Sequence, residues 1–170
     1  MKADRHDCAW ADMHALPMRA GVRPATTDVA PQSQLDQIPD AASHEAMHGI
    51  VATWPNVIKR PSQRAPNGTV GLFLSDDEAQ GPREAFLLGT EFARLHPLPD
   101  GSLRMVLPPF LARTAIEKGW GIPHPMAGLP TVSAQTIMIF APRDAAERAI
   151  VAGFIHAAEL YARGRETPSA

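Results

Sequence analysis

Hydrophobic positions alternate with the rest from Ser102 to Leu107, which sets Leu103, Met105 and Leu107 on one face and Ser102, Arg104 and Val106 on the other. A period of two is the mark of a half-buried strand. The run before it, Phe86 to His96, is apolar and partly alternating, and the link Pro97-Leu98-Pro99-Asp100-Gly101 is turn chemistry. Together these segments predict an antiparallel hairpin. With Leu95 and Leu103 on its apolar face, even pairing across the turn brings His96 near Ser102 and Arg94 near Arg104 on the other face. Thr69 to Leu74 reads as another strand, closed by Ser75-Asp76-Asp77-Glu78, and Thr136 to Ala141 as a buried one.

Three segments read as helices. The first runs from about Ala41 to Thr53 with Ser43 as its N-cap, and Trp54-Pro55 ends it because the residue before proline is pushed out of the helical region. Pro108-Pro109 opens the second and Lys118-Gly119 closes it. Pro142-Arg143-Asp144 starts the third, where Asp144 and Glu147 have capping-box spacing, and Gly164 ends it. Ile150, Val151, Phe154, Ala158 and Tyr161 share one face of that helix, and His156 falls with Arg148, Glu159 and Arg163 on a solvated side. The order helix, three strands, helix, strand, helix predicts an α+β domain, a small antiparallel sheet with helices packed on one face.

Pro17, Pro24, Pro31 and Pro39 recur through a stretch rich in Ala, Thr and Gln. Residues 1 to 40 are therefore expected to form a disordered or extended leader outside the core, with a single domain at 41–164 and a tail at 165–170. The chain has 170 residues, 45% of them hydrophobic, and a formal net charge of -2. Its charges are scattered, which argues against a nucleic-acid partner. No apolar run approaches the roughly 20 residues of a membrane span, and the start is polar, so the expected location is cytoplasmic, with no membrane partner. Cys8 is the single cysteine, which excludes an intrachain disulfide.

Two groups of residues carry candidate chemistry in their own right. Arg94 and Arg104, opposed across the hairpin, either straddle an anion or fan out to solvent and acidic neighbours. If they are opposed, Arg104→Ala should cost little stability in ligand-free buffer, because it removes a repulsion as well as a contact. His44-Glu45-Ala46-Met47-His48 fits His-Glu-x-x-His, in which two histidines one helical turn apart bind zinc and the glutamate activates water. A zinc hydrolase on His44, Glu45 and His48 is thus one alternative function, although no downstream residue stands at a familiar third-ligand spacing. Phosphate loops, Gly-x-Gly-x-x-Gly and paired Cys-x-x-Cys are absent.

From Glu91 onward the pattern becomes specific. Glu91-Phe92-Ala93-Arg94-Leu95-His96, Asp100-Gly101-Ser102-Leu103, Lys118-Gly119-Trp120-Gly121, His124-Pro125-Met126-Ala127-Gly128 and Phe140-Ala141-Pro142-Arg143-Asp144 follow one another in an order and spacing similar to the fungal luciferase family. The resemblance covers under half of the chain. It implies an enzyme that joins molecular oxygen, as co-substrate and with no metal or flavin cofactor, to a hydroxylated pyrone, through a peroxide that loses carbon dioxide. Two features differ from that pattern: arginines occupy positions 94 and 104 where histidines stand, and the membrane segment at the start of the fungal enzymes has no counterpart.

On this resemblance the expected substrate is an acidic, enolisable aromatic or pyrone-type small molecule. His96 and His124 are the candidate proton-transfer groups, since imidazole titrates near neutral pH; the alternative is that either is a structural histidine bonded to a loop carbonyl. Arg94, Arg104, Trp120, Arg143 and Asp100 are the candidate substrate-binding residues. Trp120 fits core packing after a helix cap ahead of a wall for a flat ligand, and Arg143 a ligand or a structural ion pair. A non-catalytic small-molecule-binding domain remains the third functional class.

Overall fold

The computed structural model describes residues 15–165. Its elements are α1 (Ala41–Ala52), β1 (Ile58–Pro61), β2 (Val70–Phe73), a 3-10 turn (Arg83–Ala85), β3 (Glu91–Leu95), β4 (Leu103–Val106), α2 (Pro109–Glu117), β5 (Gly121–Pro123), β6 (Thr136–Ile139) and α3 (Ala145–Ala162). The strands form one six-stranded antiparallel sheet in the order β1-β2-β3-β4-β6-β5. The fold is α+β, as the alternation of periods predicts.

The central hairpin has the expected register, with Arg94 opposite Arg104, Leu95 opposite Leu103, and the His96 N–H donating to the Ser102 carbonyl at 3.0 Å. Leu95, Leu103 and Met105 face the main core together with Met47 and Val51 of α1, Leu111 and Ala115 of α2, and Val151 and Phe154 of α3. The opposite face carries a smaller cluster, Ile122, Met138 and Phe140, and beside it the candidate site.

Two strands escape the sequence reading. β1 is an edge strand, largely exposed, with Lys59, Arg60 and Pro61 along it; proline and charge suit an edge and give no apolar run to detect. β5 has only three residues and starts at Gly121, where a Cβ would lie 2.3 Å from the Met138 carbonyl oxygen. Only glycine lets that backbone approach so closely. The expected strand from Phe86 is shorter, because Leu87 to Glu91 turns tightly, with hydrogen bonds from Leu87 N to Glu91 O and from Glu91 N to Leu88 O.

Caps also differ in detail. Asp40, not Ser43, is the N-cap of α1, and its carboxylate accepts the Ser43 N–H at 2.7 Å. Asp144 caps α3 through the Glu147 N–H, but the Glu147 carboxylate returns to the Arg143 N–H instead of completing the box. His156 is half-buried, with its ring 5.7 Å from that of Trp54, and is not on a freely solvated side.

The expectation of a leader outside the core needs correction for residues 15–40. Their backbone is extended, with only an isolated bridge between Thr26 and Gln34, but the segment packs on the domain. Leu16 joins the main core, and Trp120 donates its indole N–H to the Pro17 carbonyl at 2.7 Å. Gln34 accepts the Ala141 N–H through its side chain at 2.9 Å. Isolated prolines remove backbone donors without preventing such side-chain anchoring. The leader's first 14 residues and the tail beyond Arg165 lie outside the described residues.

Candidate active site

The second face of the β3–β4 hairpin forms the floor of a cavity of about 650 Å³, lined by Arg94, His96 and Arg104, and by His124 from the loop after β5. Apolar walls come from Pro31, Pro66, Leu87, Leu88, Met126 and Val132. The volume lies in the range of small-molecule sites, and a mostly apolar lining with a few convergent polar groups is their usual character.

Strand alternation aims Arg94, His96 and Arg104 to this side because the core claims Leu95, Leu103 and Met105. Arg104 is only 1% exposed, and it is extensively bonded. Its guanidinium donates to Ser102 Oγ at 2.8 Å, to the Leu103 carbonyl at 3.1 Å and to the Gln32 carbonyl, and it lies 4.0 Å from the Asp100 carboxylate. Burial draws it down to about 10, with the Asp100 charge opposing and Arg94 assisting, so it stays a cation at neutral pH. This anchoring bears against the expectation that Arg104→Ala costs little: the side chain is held on three acceptors as well as opposed to a like charge. Arg94 is half-buried. It donates to the Arg64 carbonyl at 3.1 Å, and its Nε is buried without a partner among the described residues.

Asp100 lies behind His96. Its carboxylate accepts from Ser102 Oγ, from the Ser102 N–H at 3.2 Å and from the Gln34 N–H at 3.1 Å, and faces His96 Nδ1 at 3.0 Å. Burial works to raise the carboxyl, but bonds from His96, Ser102 and Gln34 and the Arg104 charge outweigh it and hold it at about 2. An ionised carboxylate can only accept, so His96 Nδ1 must donate. Burial, first, and then the charges of Arg104 and Arg94 push His96 down against its bond to Asp100. The neutral ring therefore leaves Nε2 bare; that atom is buried and has no partner among the described residues.

His124 has the complementary tautomer. Its ring is drawn down to about 4 by burial and by the charges of Arg104, Arg94 and His96. The Met126 N–H donates to its Nδ1 at 3.2 Å, so the neutral ring carries its proton on Nε2. The His-Pro-x-Ala-Gly turn creates this geometry, with the Ala127 N–H closing on the His124 carbonyl at 2.9 Å. The cavity thus combines one imidazole able to accept a proton, one able to donate, and two guanidinium groups.

Four of the expected residues meet here, and Asp100 supports them. Two do not. Trp120 is 2% exposed within the main core, 6.3 Å from the Phe154 ring, and stands away from the cavity. Arg143 pairs with Glu147 and donates to the Ala20 carbonyl at 2.7 Å, which ties the 15–40 segment to α3. Both follow the structural alternatives that their residue types allow. His44 and His48 meet ring to ring at 4.5 Å on α1, and no group of three metal-ligating side chains occurs among the described residues. The sequence reading missed Gln32, whose carbonyl has no local signature. No helix among the described residues is long and apolar enough to cross a membrane.

The family model described as Luciferase domain matches residues 89–158, which spans the hairpin, the His124 turn and most of α3. A luciferase of Armillaria ostoyae is 32% identical over 166 residues, covering 86% of this chain and 60% of that protein. A luciferase of Armillaria mellea is 31% identical with the same coverage, and one of Neonothopanus nambi 27% identical over 164 residues, again covering 86% and 60%. No solved structure matches. The chain spans 60% of the length of these relatives, and its own matched segment carries His96, Asp100, Arg104 and His124. Residues 89–158 are thus similar to the luciferase domain, and the chain resembles these luciferases over most of its own length.

Proposed function

We propose that the protein is a cofactor-independent oxygenase acting on an acidic, enolisable aromatic or pyrone-type small molecule. The observation that carries this reading is the Asp100–His96 dyad: a carboxylate fixes the proton on Nδ1, and the bare Nε2 belongs to a residue that lines the cavity. Such a group is a general base. His96 Nε2 takes the enolic proton, and Arg94 and Arg104 hold the resulting anion. The carbanion form of the substrate makes a C–O bond to dioxygen, the peroxide anion receives stabilisation from the guanidinium groups and the His124 N–H, and the proton returns from His96. Loss of carbon dioxide from that peroxide follows the chemistry implied by the family resemblance.

Oxygen uptake with a panel of hydroxypyrones tests the reading. His96→Gln should keep ligand binding and lower turnover by about a hundredfold or more. Uptake that survives in His96→Gln would remove the base assignment. Binding without any oxygen uptake by the parent protein would make it a small-molecule-binding domain. Stoichiometric zinc that is lost in His44→Ala would instead favour the hydrolase.

A further inference from the structure

Four residues that line the cavity carry a buried side-chain atom with no hydrogen-bond partner among the described residues: Gln32 Oε1, Arg94 Nε, His96 Nε2 and Thr136 Oγ1. Arg94 and His96 already have a part in the proposed chemistry. Gln32 and Thr136 have none, and both are uncharged. They are only 5% and 3% exposed. A buried amide or hydroxyl without a partner costs free energy, and an apolar side chain of the same shape would avoid that cost. The fold keeps polar atoms there nonetheless.

The sheet fixes where Thr136 stands. On β6, Ile137 and Ile139 enter the main core, and Met138 belongs to the cluster on the opposite face. Alternation puts Thr136 on the Met138 face, and Met138 lies directly across from Arg104. On the other side of β6, the His124 N–H donates to the Thr136 carbonyl at 3.0 Å. Thr136 thus shares the cavity face of the sheet with Arg104 and neighbours His124. Gln32 comes from the docked 15–40 segment. Its main-chain carbonyl accepts from Arg104, and two residues on, the Gln34 N–H donates to Asp100 at 3.1 Å. The backbone at Gln32 is therefore fastened to the site, while its side-chain oxygen is not.

We propose that Thr136 and Gln32 are further substrate-binding residues, which hold uncharged hydroxyl substituents of the ligand while Arg94 and Arg104 hold its anion. The proposal rests on the reading of the cavity as an anion site. The Gln32 side-chain oxygen can only accept, and a threonine hydroxyl accepts or donates. A ligand hydroxyl suits both, since it donates to either oxygen and can accept from the threonine O–H. A ligand without it leaves the two buried atoms unpaired, so the residues select against that ligand. Neither residue moves a proton at neutral pH; both act on affinity and specificity.

Calorimetry with benzoate, salicylate, 3-hydroxybenzoate and 4-hydroxybenzoate tests this in the parent, Thr136→Val and Gln32→Met. In the parent, at least one hydroxybenzoate should bind about tenfold more tightly than benzoate. Each variant should lose the preference for at least one of them and keep its affinity for benzoate. Thr136→Val should also melt no lower than the parent, because the hydroxyl it removes has no partner in the fold. A lower Tm would mean that the hydroxyl makes a structural bond, and would strike Thr136 from the assignment. A preference that survives in full in either variant would strike that residue. A parent that binds benzoate and the three hydroxybenzoates equally would overturn the proposal and leave the anion site intact. Failure to bind any of the four acids would defeat the anion-site reading itself.

Discussion

The two faces of the β3–β4 hairpin are almost equally buried and quite different in kind. On one, Leu95, Leu103 and Met105 are at most 2% exposed and meet only apolar neighbours in the main core. On the other, Arg104 is 1% and His96 5% exposed. Burial alone does not distinguish a core from a site. What distinguishes them is how the polar atoms are satisfied. Arg104 is anchored on three acceptors, whereas Arg94 Nε and His96 Nε2 have no partner among the described residues. A buried donor or acceptor left without a partner costs free energy, and such atoms concentrate where a ligand completes the arrangement.

The sharpest way to break the comparison is to treat the polar face as if it were core. Arg104→Ala removes the partner of Ser102 Oγ and of the Gln32 carbonyl and strips a cation from beside Asp100. Loss should be about 4 kcal/mol, by denaturant titration, because buried acceptors lose their donor and Asp100 loses a neighbouring cation. A loss below about 1 kcal/mol would mean that repulsion from Arg94 cancels the anchoring. On the apolar face, Leu103→Ala should cost about 3 kcal/mol through transfer and cavity terms alone. It should leave salicylate affinity unchanged, and a changed affinity would show that the faces are not independent.

How much of this was legible follows the same division. The hairpin register was, because a period of two and a proline-glycine turn leave little freedom: Arg94 against Arg104 and Leu95 against Leu103 follow from it. Motif order singled out His96 and His124, but their meeting at one cavity is a tertiary contact that no periodicity encodes. Trp120 and Arg143 stand where the structural alternatives put them, because their residue types serve packing and ion pairing as readily as ligands. The Gln32 carbonyl reaches Arg104 across 72 positions of sequence, and no local pattern encodes such a contact.

A smaller effect concerns acid. The Asp100 carboxyl stands at about 2 in the folded protein against an ordinary 3.8. A depressed value stabilises the fold fully above the ordinary one, and that stabilisation fades as pH falls through the folded one. The difference is worth about 2 kcal/mol. Stability should therefore drop between about pH 4 and pH 2 more steeply in the parent than in Asp100→Asn. Parallel curves would show that the carboxylate is not the group that holds the turn. The same variant should slow turnover, since the amide no longer fixes the His96 tautomer.

The smallest expected effect tests whether the 15–40 segment belongs with the core face or only crosses it. Trp120→Phe keeps the aromatic packing on Phe154 and removes one hydrogen bond, that from the indole N–H to the Pro17 carbonyl. A single bond of this kind is worth about 1 kcal/mol. The segment is also fastened elsewhere: Arg19 N–H donates to the Lys118 carbonyl at 2.8 Å, Gln34 holds Ala141 and Asp100, and Arg143 grips the Ala20 carbonyl. With those fastenings intact the segment should stay in place, so hydrogen exchange should quicken at residues near Pro17 and not at Gln34. If exchange quickens along the whole segment, its docking is cooperative and Trp120 is its anchor. Gln32 would then loosen with it, and the wall it builds over Arg104 would depend on a residue from the opposite face of the sheet.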